Sequence, residues 1–243
     1  MDVAVFDSHL HIIDPRFPLT PNQGYLPEPF TVDDYRAATA PLEVTGGAVV
    51  AGSFQTGTRW LVDALERLGP GFVGVAELHD VSEDEVMALD HAGVRAVRFN
   101  LHRGGALDDD LAQRVHELAG WHTEVYADGR TLAAHEGRLR ELPRLVVDHL
   151  GLDDHALPVL QRLGCMVKAT GFGRVDVDPE TALRALDPAK LMFGTDLPGT
   201  RARRPFVPAD LGLVREIAPQ ALYDNARAWY QPPPAKYFAL SSE

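Results

Sequence analysis

Two histidines two residues apart, His9 and His11, follow the first apolar run of the chain, Val3-Ala4-Val5-Phe6. On a strand, residues i and i+2 project to one face. The two imidazoles are therefore neighbours, able to hold a metal ion or to polarise a carbonyl oxygen. Such a pair also arises by chance, so its weight rests on partners elsewhere. Partners stand just after the other apolar runs: Ser53 and Gln55, Glu77 and His79, then Arg98, Asn100, His102 and Arg103. Further on come Glu124 and Tyr126, Asp148 and His149, Lys168, Thr170 and Arg174, and finally Asp196 in Phe193-Gly194-Thr195-Asp196. Desolvating so many polar groups costs free energy, and a purely structural scaffold has no reason to gather them.

The elements that would gather them alternate along the chain. Short strand-like runs are expected at Val3–Phe6, Ala48–Ala51, Phe72–Glu77, Val94–Phe99, His122–Tyr126, Leu145–Asp148, Met166–Ala169 and Leu191–Phe193. Amphipathic helical patterns separate them, and a last helix is expected over Pro219–Tyr230, before Pro232-Pro233-Pro234. Eight strand–helix units are the count of an α/β (β/α)8 barrel of the TIM type. An open doubly wound sheet is the alternative, but it would carry a glycine-rich phosphate loop after strand one, and none is there. Residues 1–230 read as one barrel domain and 231–243 as a C-terminal tail with little pattern. Proline-rich stretches at Asp14–Pro29 and Pro198–Pro208 fall after strands one and eight, where a barrel places its active-site loops.

Composition narrows the partners. A net charge of −12 without a basic, aromatic-interleaved stripe argues against nucleic acid and against an anionic membrane. No apolar run reaches membrane-spanning length and no signal-peptide pattern opens the chain, so a cytoplasmic location is expected. The single cysteine, Cys165, sits in an apolar run and reads as a core thiol. Trp60 and Trp229 read as packing between barrel and helices. His91, His116, His135 and His155 read as solvated helix faces.

The Asp7-Ser8-His9-Leu10-His11 opening, Val147-Asp148-His149-Leu150-Gly151 and Phe193-Gly194-Thr195-Asp196 resemble the amidohydrolase superfamily. Val97-Arg98-Phe99-Asn100, Trp121-His122 and Asp224-Asn225-Ala226-Arg227 resemble, more narrowly, its branch of 2-pyrone-4,6-dicarboxylate lactonase and sugar lactonases. The resemblance runs in order over nearly the whole chain. It implies that His9 and His11 bind metal or polarise the substrate carbonyl, that His149 contacts the same oxygen, and that Asp196 is the general base. It also implies that Arg98 grips a substrate carboxylate, with Ser53, Tyr126, Arg103 and Arg174 as further substrate contacts. Two positions depart from metal-rich relatives. Arg98 stands where they place lysine or glutamate on strand four, and Tyr126 closes strand five, where many have histidine. His9, His11 and Asp196, with His149 in reach, suffice for one divalent ion, zinc or manganese, but not for two. Metal-free catalysis is equally consistent with them.

The expected chemistry is water attack on a small anionic lactone or related cyclic ester. Asp196 would take the proton, imidazolium groups or a metal would stabilise the oxyanion, and arginines would orient the substrate. A metal-dependent decarboxylase or amide hydrolase of the same superfamily is the second expectation, and a non-catalytic barrel that binds a small anion the third. Asp7 is read as orienting an imidazole or capping a loop, His102 as a rim residue, and Glu77 and His79 as specificity or surface groups. Lys168 points to the mouth or to the barrel floor, depending on strand register.

Overall fold

Gly46 and Gly47 decide where the second strand begins. A Cβ on Gly46 would lie 2.5 Å from the Gly71 carbonyl oxygen, and one on Gly47 2.7 Å from that of Asp7. Only glycine lets three backbones approach so closely. The strand therefore starts at Val44, four positions before the apolar run that announces it in the sequence. In the computed structural model, which describes residues 4–230, the strands are β1 (Val5–Leu10), β2 (Val44–Val50), β3 (Phe72–Ala76) and β4 (Val94–Asn100), then β5 (His122–Tyr126), β6 (Leu145–Val147), β7 (Met166–Ala169) and β8 (Leu191–Phe193). They pair in parallel, in chain order, from β1 through β8. The expected tail at 231–243, like Val3 of the expected first strand, lies outside the described residues.

Helices return the chain outside the sheet: α1 (Val32–Thr39), α2 (Arg59–Leu68), α3 (Glu83–His91), α4 (Asp109–Ala119), α5 (Gly129–Glu141), α6 (Ala156–Leu163), α7 (Pro179–Ala185), α8 (Pro208–Ile217) and α9 (Asp224–Tyr230). Local chemistry sets their starts. Thr31 with Asp34, and Ser82 with Glu85, form reciprocal capping boxes that satisfy orphan donors at the first turns of α1 and α3. The last expected helix is broken in two. Pro219–Leu222 forms a 3-10 turn, and Tyr223, at φ −147°, separates it from α9. The result is a nearly closed (β/α)8 barrel.

Two apolar layers hold it. The larger lies between sheet and helices and takes in Trp60, Leu61, Trp121, Leu132 and Val214. The smaller fills the lower barrel interior with Phe6, Val50, Val75, Ala96, Val146, Met166 and Met192. Helix α9 plugs it from below, Tyr230 stacking on Phe6 at 5.4 Å between ring centroids. Trp229 packs beside this plug with the Arg144 guanidinium 4.6 Å from its ring centre. Cys165 is half-buried against the larger layer, and burial lifts its thiol to about 12.

The seam between β8 and β1 is closed largely by one side chain. Fully buried Asp7 accepts from the Thr195 backbone N–H at 2.8 Å, the Thr195 hydroxyl at 2.7 Å, the Tyr35 hydroxyl at 2.9 Å and the His9 N–H at 3.2 Å. Burial lifts its carboxyl to about 6 against the pull of these donors. Two backbone bonds, Asp196 N–H to His9 at 2.8 Å and His11 N–H to Leu197 at 2.9 Å, continue the seam above it. Asp7 is thus neither a loop cap nor a partner of an imidazole ring; it ties the first strand to the last. Replacing Thr195 by Val removes one buried donor at nearly constant volume. Urea unfolding of Thr195→Val is expected to show a loss of about 1–3 kcal/mol; an unchanged midpoint would mean that the seam does not need the hydroxyl.

Candidate active site

A bulge places the first two histidines. Asp7 pairs with Gly47 and Leu10 with Val49, so three steps on β1 match two on β2. Phe6 can then face the lower interior while His9, three positions on, faces the interior above it. His9 and His11 still meet as the spacing predicts, with ring centroids 5.0 Å apart. His149 follows β6 and lies 4.5 Å from the His9 ring. Asp196 follows β8. Both His149 (φ 52°) and Asp196 (φ 58°) occupy the left-handed region, costly for side-chain-bearing residues and frequent where function dictates the backbone.

The four side chains converge on one point. The Nε2 atoms of His9, His11 and His149 lie 3.9, 3.7 and 3.9 Å from Asp196 Oδ1. All four residues are at most 4% exposed. Asp196 Oδ1 and His9 Nε2 are buried with no hydrogen-bond partner among the described residues. The other carboxylate oxygen, Oδ2, accepts from Arg174 Nε at 2.8 Å and Nη2 at 2.5 Å. Burial raises the Asp196 carboxyl, but the Arg174 guanidinium and the histidines outweigh it and hold it at about 2. Burial pushes His9 and His149 well below the usual histidine range, against the pull of Asp148 on His9 and of Asp196 on His149. Burial thus disfavours an imidazolium charge on these two rings.

This donor set fits a single divalent cation. One ligand atom from each of His9, His149 and Asp196 lies within 4.8 Å of the others. His11 Nδ1 donates to the Val50 carbonyl at 2.8 Å, which leaves Nε2 as the ring nitrogen turned toward Asp196. Lone pairs facing an orphaned carboxylate oxygen are an arrangement that a cation relieves.

Above this point opens a mouth lined by Ser53, Arg98, Arg103, Tyr126 and Arg174, every substrate contact that the sequence nominated. Their commitments differ. Arg98 is 3% exposed, with Nε and Nη2 on Asp148 Oδ2 at 2.9 Å each and Nη1 on the Ala51 carbonyl at 3.0 Å. Arg174 is given to Asp196. The Arg103 side chain has no hydrogen-bond or ion-pair partner among the described residues. Arg201, not singled out in the sequence, joins the lining. It stacks over Tyr25 at 4.5 Å and donates to Asn22, clasping the first proline-rich loop to the last. Its neighbours Arg203 and Arg204 pair with Asp176 and Asp210 instead. Nothing in the run Arg201-Ala202-Arg203-Arg204 distinguishes the three.

His102 sits at the rim as expected, 3.5 Å from Asp128 and edge-on to Tyr126. His79 is exposed, and with half-buried Glu77 it lines a separate groove. His91 and His155 are exposed, while His116 and His135 bond to nearby backbone carbonyls.

Lys168 settles its register by pointing inward. Fully buried beneath His9, its Nζ lies 2.5 Å from Glu124 Oε2, 3.4 Å from His9 Nδ1 and 3.5 Å from Asp148 Oδ1. Glu124 in turn accepts from Tyr230 at 2.5 Å and meets His122 at 3.1 Å. Burial opposes ionisation of both carboxyls, yet Lys168 holds Glu124 and Asp148 below their ordinary values. The pairing of these charges was not assigned from the sequence, where strand register left Lys168 between the mouth and the barrel floor.

Comparison with known proteins places the chain in context. The amidohydrolase family model (Amidohydro_2) matches residues 6–231. A 4-sulfomuconolactone hydrolase of Rhizobium radiobacter is 30% identical, over 89% of this chain and 84% of that protein. A 2-pyrone-4,6-dicarboxylate hydrolase of Comamonas testosteroni is 31% identical, over 63% of this chain and 54% of that protein. A crystal structure of a probable 2-pyrone-4,6-dicarboxylic acid hydrolase from Acinetobacter baumannii, with citric acid bound, superposes with a TM-score of 0.80 at 22% identity, covering 95% of this chain and 99% of that one.

The depressed pKa of Asp196 fixes the sign of a stability effect. Its ionised form is favoured in the fold, so its contribution, about 2 kcal/mol, is complete above about pH 4 and is lost as pH falls through about 2. Urea unfolding of chelator-treated wild type and Asp196→Asn is expected to show a stability gap that closes on acidification. A gap independent of pH would mean that Arg174 does not stabilise the ionised carboxylate.

Proposed function

The chain belongs to the amidohydrolase family, and we propose that it hydrolyses a small anionic lactone or related cyclic ester. The observation that carries this reading is Asp196 Oδ1: a buried, unpartnered carboxylate oxygen ringed by three imidazoles under an arginine-lined mouth. The substrates named for the relatives, 4-sulfomuconolactone and 2-pyrone-4,6-dicarboxylate, are small anionic lactones that would suit such a mouth.

Asp196 acts as the base. As water attacks the lactone carbonyl carbon, Oδ1 takes its proton, and negative charge develops on the carbonyl oxygen. The ring C–O bond then breaks, and the proton returns from Asp196 to the leaving oxygen, giving a carboxylic acid and a hydroxyl group, which is an enol that tautomerises to a ketone where the ring oxygen was attached to a C=C carbon. His149, whose Nδ1 has no partner among the described residues, can carry its proton on Nε2, the nitrogen facing Asp196, and offer that N–H to the carbonyl oxygen. Each well-aimed donor of this kind contributes about 3 kcal/mol to transition-state stabilisation. A zinc or manganese ion, held by His9, His11 and Asp196 with His149 in reach, would supply Lewis-acid polarisation and a more acidic water. Arg103, with its fork uncommitted, takes the substrate anion, while Ser53 and Tyr126 complete the wall.

A panel of small lactones, monitored for acid release, tests the activity, and elemental analysis of the purified protein accompanies it. Asp196→Asn is expected to lower kcat by about 100- to 10,000-fold, and turnover near wild type would remove Asp196 as base. Arg103→Gln is expected to raise KM for an anionic lactone roughly tenfold, the worth of one charge-assisted hydrogen bond, with kcat little changed. Release of carbon dioxide in place of acid would mark a decarboxylase instead.

A further inference from the structure

Asp148 stands between two cations and one imidazole. Its Oδ2 is taken by Arg98. Its Oδ1 is buried and has no hydrogen-bond partner among the described residues. The two nitrogens nearest that oxygen are His9 Nδ1 at 3.3 Å and Lys168 Nζ at 3.5 Å. We propose that Asp148, gripped by Arg98 and Lys168, is the positioning residue that fixes His9 with its proton on Nδ1 and its Nε2 lone pair toward Asp196.

The alternative tautomer is the costlier one. With the proton on Nε2, the Nδ1 lone pair would face a carboxylate oxygen across 3.3 Å of dry interior. With the proton on Nδ1, the same contact becomes an attraction between the N–H dipole and the carboxylate charge. Lys168 is the rival donor to Nδ1, at 3.4 Å, but its shortest contact is Glu124 at 2.5 Å. Glu124 is itself anchored by Tyr230 and His122. Lys168 is thereby drawn to two carboxylates, and its charge beside Asp148 Oδ1 keeps that oxygen in place to accept from His9. His11 shows the same tautomer by an independent route, since a carbonyl can only accept from its Nδ1. The strand-one rings then both turn Nε2 toward one point, each oriented by a group behind its Nδ1.

This assignment also gives Arg98 a place in the wall behind the site, as a grip on Asp148. It rests on the hydrolase reading only for its kinetic half. The tautomer is read directly by two-bond proton–nitrogen correlation spectra of chelator-treated protein labelled with nitrogen-15 histidine, near neutral pH. The His9 signal is assigned by its loss in His9→Gln. A protonated Nδ1 and a bare Nε2 are expected for His9, and the reverse pattern in wild type overturns the proposal without any variant of the floor. Lys168→Met is expected to mix the His9 tautomers, to weaken binding of zinc alone and to lower kcat by about 10–100-fold with KM little changed, and Lys168→Arg to restore part of each. A Lys168→Met protein that is less stable but keeps the His9 spectrum and the zinc affinity would make the floor merely structural and overturn the role of Lys168. If wild type opens no lactone, the functional reading fails while the spectrum still decides the tautomer.

Discussion

Closing the barrel is the constraint on which the site depends. Two strands at opposite ends of the sheet order must meet, and their meeting is what places Asp196 over His9 and His11. The backbone bond from Asp196 to His9 and the Asp7–Thr195 pair lie at that junction. Gly194 permits the contact, because a Cβ there would stand 2.7 Å from the His9 nitrogen. An error in closure would therefore displace chemistry and scaffold together. Asp7 takes two hydrogen bonds from Thr195 across the seam and two more from Tyr35 and its own strand, so a residue of the histidine motif itself is architectural.

The second constraint is electrostatic. Arg98, Glu124, Asp148 and Lys168 are all within 3% of full burial. Burying such groups costs several kcal/mol each unless they are mutually paired, and removing one partner leaves the others stranded. The network is thus a poor source of stability and a good source of definite geometry. It separates the apolar plug below from the imidazoles above. The mouth adds a local cationic field to a chain whose overall charge is −12, so anionic ligands are drawn in only at close range, within about a Debye length.

Much of this was legible in the residues because periodicity and strand ends carry it. The eight β-branched or apolar runs mark eight strands, and their C-terminal ends hold His9, His11, His149 and Asp196, which do converge. What was hidden depends on contacts distant in the chain. The start of β2 is masked by two glycines whose purpose is the approach of neighbouring backbones. The break at Tyr223 divides a helix that the pattern shows as continuous. Arg98 and Arg174 are arginines at the mouth, as read, but their forks face Asp148 and Asp196, and no local pattern specifies which acid an arginine meets. The lowered pKa values of His9 and His149 come from burial, a property of the assembled barrel.

Tyr230 reaches up from the last described helix to Glu124, so the electrostatics under His9 are finished by a residue from the far end of the chain. The strand that carries His9 is synthesised well before the hydroxyl that completes its foundation, since Tyr230 lies far downstream of it. A nascent polypeptide would hold its imidazoles over an incomplete set of charges until Tyr230 has emerged. Catalytic competence would then arrive as a late, all-or-none event, and half-made chains would carry the motif without the chemistry.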